Sequence, residues 1–326
     1  MAAASPWRSA IWKKRALAWA RRRIADQGLA AGKTTQFHVR PWSTVFRIAT
    51  ARDPIYFKAV WPLQRPEVGI SDSLAAWRPN DVAGVPAIDE RRGWFLMEDA
   101  GIRLREVLAK DKDVRHWHRI VPRYAELQLA VATHVSELLA HGAPDRRGEA
   151  LPGAYEQLLR KKKLLRVGAK DGLSEKEHAR LLSLVPRVRD WCEQIAGSVP
   201  DSINHDDLHD GQVFVKNGHY RVLDWGDANV SHPFCSLAVV LRSVGYTFKL
   251  TEDSPELRRI VDLYLEPFTT VATMSHLRDT YQVARRLGRI CRALTWAAVI
   301  PRLPPAWQRR ERSSAAAWLQ IFLESV

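Results

Sequence analysis

The chain has 326 residues, 46% of them hydrophobic, thirteen tryptophans and a formal charge of +14, which excludes a disordered chain and gives length enough for two domains or two lobes. Three widely spaced cysteines in apolar surroundings, Cys192, Cys235 and Cys291, argue for buried free thiols in a reducing, cytoplasmic compartment, against a disulfide framework or a zinc site. No apolar run reaches the roughly eighteen residues of a membrane span, and the charge excess would draw anions such as ATP, nucleic acid or acidic lipid.

The first predicted element is an Arg-rich helix in PWRSAIWKKRALAWARRRIADQGL. Ile11, Leu17, Trp19 and Ile24 form its apolar stripe, and Gly28 followed by Gly32 ends it as a C-cap signal would. Packing on a small lobe is the favoured reading; a membrane-surface helix or an organellar presequence has a similar pattern. TQFHVR, STVFRIAT and IYFKAV then read as a β-meander, with turns at Pro41-Trp42 and Arg52-Asp53-Pro54. Lys58 lies in the third run beside Phe57, near Val60. Glu67 opens EVGISDSLAAW, where Ile70, Leu74 and Trp77 recur at helical spacing. VPAIDERRGWFLMEDAG gives two short strands around a Glu90 to Gly93 turn, leading into Met97, Glu98 and Asp99, with a boundary near Ala100-Gly101.

The rest is mostly helical in pattern. Residues 116–141 carry a long apolar face, which Pro122 is expected to break near its start. HGAPDRRGEALPG reads as a loop. Two helices follow, separated by Gly168 to Gly172, with Ser174 and Glu177 forming a capping box. The basic run Arg160 to Arg166 is expected to be a solvated helix face, not a nucleic-acid site, since it has no interleaved aromatics. The last hundred residues read as three helices, the last set apart by Pro301 to Pro305.

The most informative segment is HDDLHDGQVFVKNGHYRVLDWG, His205 to Gly226. GQVFV and HYRVL alternate like paired strands around an Asn217-Gly218 turn, so the acidic ends of the segment are expected side by side. Phosphoryl transfer needs such a layout: one carboxylate to orient a nucleophile, and further oxygens to hold Mg²⁺ on a nucleotide. Any single acid on a loop is more often solvated or capping, but the joint pattern is specific. It resembles the catalytic core of aminoglycoside phosphotransferases and their small-molecule relatives, the choline, homoserine and methylthioribose kinase group, which reads roughly HGDLHxGN…(I/L)DW.

That resemblance implies an α+β, protein-kinase-like two-lobed fold, with a small β-rich N-terminal lobe over 1–100 and a large, mostly helical C-terminal lobe over 101–326. It makes Asp207 the catalytic carboxylate, Asp224 the metal-binding residue of a DFG-type turn, and His205 a structural histidine. Gln212 falls where the family has a metal-binding Asn, and departs from it by one methylene. Lys58 would pair the nucleotide phosphates with Glu67. The junction RPWST lacks the glycines of a phosphate-covering loop; Ser43 and Thr44 would bond phosphate there, or else satisfy their own backbone. Met97 and Glu98 would form the hinge against an adenine ring, in a slot lined by Val60, Phe95 and Met97. Ser236 stands where relatives often carry an Asp.

The implied activity is direct, Mg²⁺-dependent transfer of the γ-phosphate of ATP or GTP to a hydroxyl of a small-molecule acceptor, with no nucleic-acid partner. On a chain this basic, Asp206, Asp210 and Asp227 would have to supply local negative charge for a cationic acceptor. Two other readings stay open: an inactive kinase-fold binding module, for which Gln212 and the missing glycines speak, and a nucleic-acid-binding protein, which rests on charge alone. A protein kinase is weaker, since no activation loop or APE-type segment follows Gly226. Pattern and resemblance leave the acceptor unspecified.

Overall fold

The computed structural model describes residues 6–326; residues 1–5 of the expected first lobe lie outside the described residues. Helix α1 (Ala10–Asp26) precedes strands β1 (Thr34–Val39), β2 (Ser43–Ile48) and β3 (Ile55–Val60), helix α2 (Pro66–Trp77), and strands β4 (Ala87–Asp89) and β5 (Trp94–Met97). After β6 (Ile102–Arg103) come α3 (Leu104–Asp111), α4 (Arg115–Val131), α5 (Val135–Ala140), α6 (Leu151–Leu159), α7 (Glu175–Ser183) and α8 (Val185–Ile195). Four short strands follow: β7 (Ser202–Asn204), β8 (Val213–Lys216), β9 (His219–Val222) and β10 (Asn229–Ser231). The chain ends in α9 (Leu237–Phe248), α10 (Pro255–Leu265), α11 (Met274–Val299), α12 (Pro305–Glu311) and α13 (Ser314–Leu323).

The contacts divide the chain into two compact units. The first runs to Ile102 and includes Phe214–Gly226 and Leu303–Trp307; the second comprises Arg103–Val213, Asp227–Arg302 and Gln308–Val326. This differs from the single division expected at residue 100, because the segment carrying Asp224 groups with the first unit. Val222 bridges to Val82 and donates its N–H to the Asp81 carbonyl. Gly101, at φ 94°, lies so close to the hairpin that a Cβ there would come within 2.1 Å of the Val215 carbonyl oxygen.

The first unit is built on an antiparallel sheet ordered β1-β2-β3-β5-β4. Ala16, Ala20 and Ile24 of α1 are buried with Phe46, Ile48, Phe57, Trp94 and Leu96, and Trp12 and Trp19 pack on the same cluster. Burial of Ile24 contributes roughly 1.5–3 kcal/mol, and the partly buried Trp12, Leu17 and Trp19 add to it, which holds so basic a helix on the sheet. The expected stripe is corrected by one residue: Ile11 is 69% exposed, and Trp12 faces inward. The period of 3.6 places Trp12, Ala16, Ala20 and Ile24 in one row, and leaves Ile11 off it. The hairpin of β8 and β9 turns at Asn217 and Gly218, both at positive φ (53° and 77°), as a two-residue primed turn requires.

In the second unit Pro122 does not break α4, which continues through it because Ile120, Val121 and Tyr124 are buried around it; the interruption comes later, as a 3₁₀ turn at Ala132–His134. Residues 160–166 form turns instead of the expected helix face, with Arg166 at φ 54° and its guanidinium on Asp171. The segment read as a loop before it already contains the start of α6 at Leu151. Ser174 and Glu177 do form the capping box. Phe234 packs edge-on against Tyr264 and Phe268, with ring centroids 5.7 and 4.9 Å away, and α11 buries Leu277, Ala284, Leu287 and Ile290. The three cysteines are free and buried. Among the described residues no helix is long and apolar enough to cross a membrane.

Candidate active site

In the first unit, the register of the sheet places Lys58 between Val45 of β2 and Phe95 of β5. Pro66 begins α2, where its missing N–H costs nothing, and sets Glu67 in the first turn. The Lys58 ammonium, on a side chain only 6% exposed, donates to Glu67 Oε1 at 2.5 Å and to Asp224 Oδ1 at 2.6 Å. Burial alone would depress the Lys58 pKa; Asp224 and Glu67 together outweigh it and hold the group above its ordinary value. Asp224 itself is 44% exposed and held at φ 70°, a conformation costly for a residue with a Cβ. Two residues on, Gly226 is closely overlaid: a Cβ there would stand 2.9 Å from Gln64 Nε2 and 3.1 Å from Glu67 Oε2.

Val60 and Phe95 are buried in one apolar cluster with Val68, and Met97 packs against it with Val85 and Ile88. Glu98 follows, its N–H donating to the Gly84 carbonyl and its carboxylate lying where a Cβ on Gly84 would have to be. Ser43 and Thr44 are not in a connecting loop but on β2, 3% and 0% exposed. The Thr44 hydroxyl donates to the His38 carbonyl and accepts from Gln36 Nε2; Ser43 Oγ lies 3.4 Å from His38 Nε2. Their hydroxyls are therefore engaged by the sheet in this structure.

In the second unit, the loop after β7 carries Asp206, Asp207 and Asp210. Arg292 of α11, with a side chain 6% exposed, donates one Nη to Asp207 Oδ1 at 2.5 Å and the other to Asp227 Oδ2 at 2.7 Å. A planar guanidinium suits such a fork. Gln212 Nε2 donates to Asp207 Oδ2 at 3.4 Å, and His209 Nε2 lies 3.6 Å from the same oxygen. Burial raises the Asp207 pKa more than Arg292 lowers it. Asp206, at φ 61°, accepts from the Thr295 hydroxyl at 2.6 Å, and burial pushes its carboxyl up to about 7 against the pull of Arg292. Asp210 goes the other way: His209 and Arg105 outweigh its burial and bring it down to about 2. Each of the three acids expected to present negative charge is thus engaged, Asp206 by Thr295, Asp210 by Arg105 and Asp227 by Arg292.

Neutral groups hold this loop in shape. Asn204 Oδ1 accepts from the Asp206 N–H and from Ser236 Oγ; Tyr124 Oη accepts from the His205 N–H. Gln128 Nε2 donates to the Ile203 carbonyl and to Ser236 Oγ, while Tyr264 donates to Gln128 Oε1. Ser236 thereby braces the loop without a charge. Buried His205 accepts from the Asp207 N–H through Nδ1, and His232, pushed down to about 3 by burial, accepts from the Phe234 N–H away from the acids.

The structure brings Lys58, Glu67 and Asp224 together in one unit, and Asp207 and Gln212 in the other. Sequence reasoning missed Arg292, Thr295 and Asn204; the arginine was hidden among the others of RRLGRICR, 85 residues from its partner. No group of three His, Cys, Asp or Glu side chains able to hold a metal ion occurs among the described residues. Mg²⁺ on a nucleotide does not demand one, since one or two carboxylates with phosphate oxygens and water complete its shell, and the accessible carboxylate of Asp224 fits that use.

The profile of the family described as "Phosphotransferase enzyme family" matches residues 69–272, more than half of the chain. No curated protein matches the sequence. Among solved structures, choline kinase from Cryptosporidium parvum Iowa II is similar at TM-score 0.62 and 11% identity, over 96% of this chain and 95% of that one. Macrolide 2′-phosphotransferase MphH from Brachybacterium faecium gives 0.56 and 16%, over 91% and 97%. The GDP and kanamycin complex of APH(2″)-IIia gives 0.57 and 12%, over 95% and 98%. At such identities the likeness speaks for the fold, an α+β protein-kinase-like one, as expected. With a profile match over most of the chain and a full-length match of fold, the chain belongs to the phosphotransferase enzyme family.

Proposed function

We propose that the chain transfers the γ-phosphate of ATP or GTP to a hydroxyl group of a small molecule, by direct in-line displacement with Mg²⁺. The observation that carries this reading is the buried Lys58 fixed by both Glu67 and Asp224. Similar structures include a choline kinase, a macrolide phosphotransferase and a complex holding GDP and kanamycin, which supports both a nucleotide donor and a hydroxylated acceptor.

In this reading Lys58, steered by Glu67, orients the nucleotide phosphates, and the cluster of Val60, Phe95 and Met97 meets the base near the backbone of Met97 and Glu98. Asp224 would hold Mg²⁺, which would neutralise phosphate charge, and Gln212 would offer its amide oxygen as a donor for a hard cation. Asp207 orients the acceptor hydroxyl and takes its proton as the hydroxyl oxygen bonds to the γ-phosphorus. The bond from that phosphorus to the bridging oxygen breaks, and the nucleoside diphosphate leaves with the electron pair. No phosphoenzyme is formed.

The test is thermal unfolding of the full chain with and without Mg·ATP or Mg·GTP, beside Asp224→Asn. A magnesium-dependent rise that the variant loses is expected. No rise with either nucleotide at millimolar concentration refutes the reading. A second reading, a binding module without turnover, draws support from Arg292 seated on Asp207; nucleotide binding without diphosphate release over a broad acceptor panel would favour it.

A further inference from the structure

Arg285, Arg289 and Arg292 stand at i, i+4 and i+7 on α11, one face of the helix. At 1.5 Å of rise per residue the first lies roughly 10 Å along the axis from the last. Arg292 grips Asp207. Arg285 and Arg289 line a cavity of about 590 Å³ in the second unit, with Arg105 and Arg242, and Glu252 and Glu324 as its carboxylates. His209 also lines this cavity and reaches to 3.6 Å from Asp207, so its wall runs up to the acidic loop.

The charges lining this cavity do not balance. Glu252, 61% exposed, serves both Arg285 at 3.2 Å and Arg289 at 2.7 Å. Arg242 has no carboxylate partner among the described residues and stacks over the Trp318 ring, 5.8 Å from its centre. The Nε of Arg285 is buried with no hydrogen-bond partner. A buried donor left in that state costs about 1–3 kcal/mol, and native structures rarely keep one without a reason. Burial depresses Arg289 more than Glu252 restores it, and Arg285 adds repulsion. An acceptor with lone pairs and negative charge would relieve all three conditions.

Resting on the phosphotransfer reading above, we infer that the acceptor is a hydroxylated small molecule bearing an anionic group, a phosphate or a carboxylate. That group is seated on Arg285, Arg289 and Arg242, with the reacting hydroxyl toward Asp207. A polycationic acceptor would meet guanidinium groups here, and the acids of the neighbouring loop are already engaged.

The experiment is titration calorimetry on the full chain without nucleotide, using two matched series: glucose 6-phosphate, gluconate, glucose and glucosamine; then glycerol 3-phosphate, glycerate and glycerol. In at least one series an anionic member is expected to bind roughly tenfold or more tightly than its neutral parent. The phosphate and carboxylate members of each series tell the two anions apart. Arg285→Gln and the exposed Arg242→Gln should each weaken that binding by a similar factor, with folding checked by thermal unfolding. Neutral or amino members binding as tightly as the anions, or anion binding untouched in both variants, overturns the inference. Diphosphate release is then followed with Mg·ATP and each bound compound. Anion binding without turnover supports the anionic class and counts against phosphotransfer; turnover of neutral or amino sugars with no preference for anions does the reverse.

Discussion

The two acid-bearing regions solve one electrostatic problem in different ways. In the first unit, Glu67 and Asp224 share one ammonium, a point charge on a flexible stem, on a strand whose register leaves little choice of position. In the second, Asp207 and Asp227 are bridged by a rigid planar fork from the middle of a helix, with Asp206 held apart by a threonine. The lysine arrangement leaves Asp224 exposed, as the proposed metal role requires, while the arginine arrangement fixes direction. In the proposed function the first serves nucleotide binding, and the second aims a carboxylate.

Separating the two regions by mutation should give the largest effect. Asp207→Asn is expected to lower kcat by about 10²–10⁴-fold while keeping the Mg·ATP-dependent rise in melting temperature, whereas Asp224→Asn loses that rise. Coupled assay of diphosphate release and thermal unfolding read the two; turnover surviving in Asp207→Asn would break the division of labour. Next in size, Arg292→Met and Lys58→Met each strand two carboxylates without their cation. Denaturant unfolding should show losses of about 3–5 kcal/mol in each, and a much smaller loss at Arg292 would mean that the helical fork is dispensable.

The pH response sharpens the contrast within the second region. Asp206 is raised to about 7 in the folded chain, so its contribution is full below the ordinary carboxylate value near 4 and is lost as pH rises toward and through about 7. Asp210, lowered to about 2, contributes above the ordinary value and loses its effect only as pH falls through about 2. Asp206→Asn should therefore flatten the decline in stability between about pH 4 and 7; unfolding midpoints at both ends check this, and an unchanged slope would remove Asp206 as its cause. The smallest effect is expected at Thr44→Val, about 1 kcal/mol of stability from its lost hydrogen bonds with no change in nucleotide affinity by calorimetry. A marked fall in affinity would place Thr44 at the nucleotide phosphates instead.

What could be read in advance was local. The Asn217-Gly218 turn, the strand bearing Lys58 and the helix opened by Glu67 each follow from neighbouring residues, and those residues also carry the resemblance. Arg292 could not be found that way, because its role depends on how a helix far along the chain passes the acidic loop, and nothing distinguishes it from Arg285, Arg286 or Arg289 in sequence. The misplaced stripe on α1 has a different origin. Ile11 and Trp12 are both apolar, and a one-residue change of phase still fits a 3.6 period; only packing on Phe46, Phe57 and Trp94 selects Trp12. The side chains of Arg160 to Arg166 suit a helix face, while Gly168 and Asp171 just beyond favour turns, and the turns prevail.

The brace formed by Tyr124, Gln128, Asn204, Ser236 and Tyr264 contains no formal charge. Dissolved ions screen charge pairs but have little hold on buried neutral hydrogen bonds. The loop backbone around Asn204 and His205 should therefore keep its shape as ionic strength rises, and salt should act first on the more exposed pair of Arg105 with Asp210.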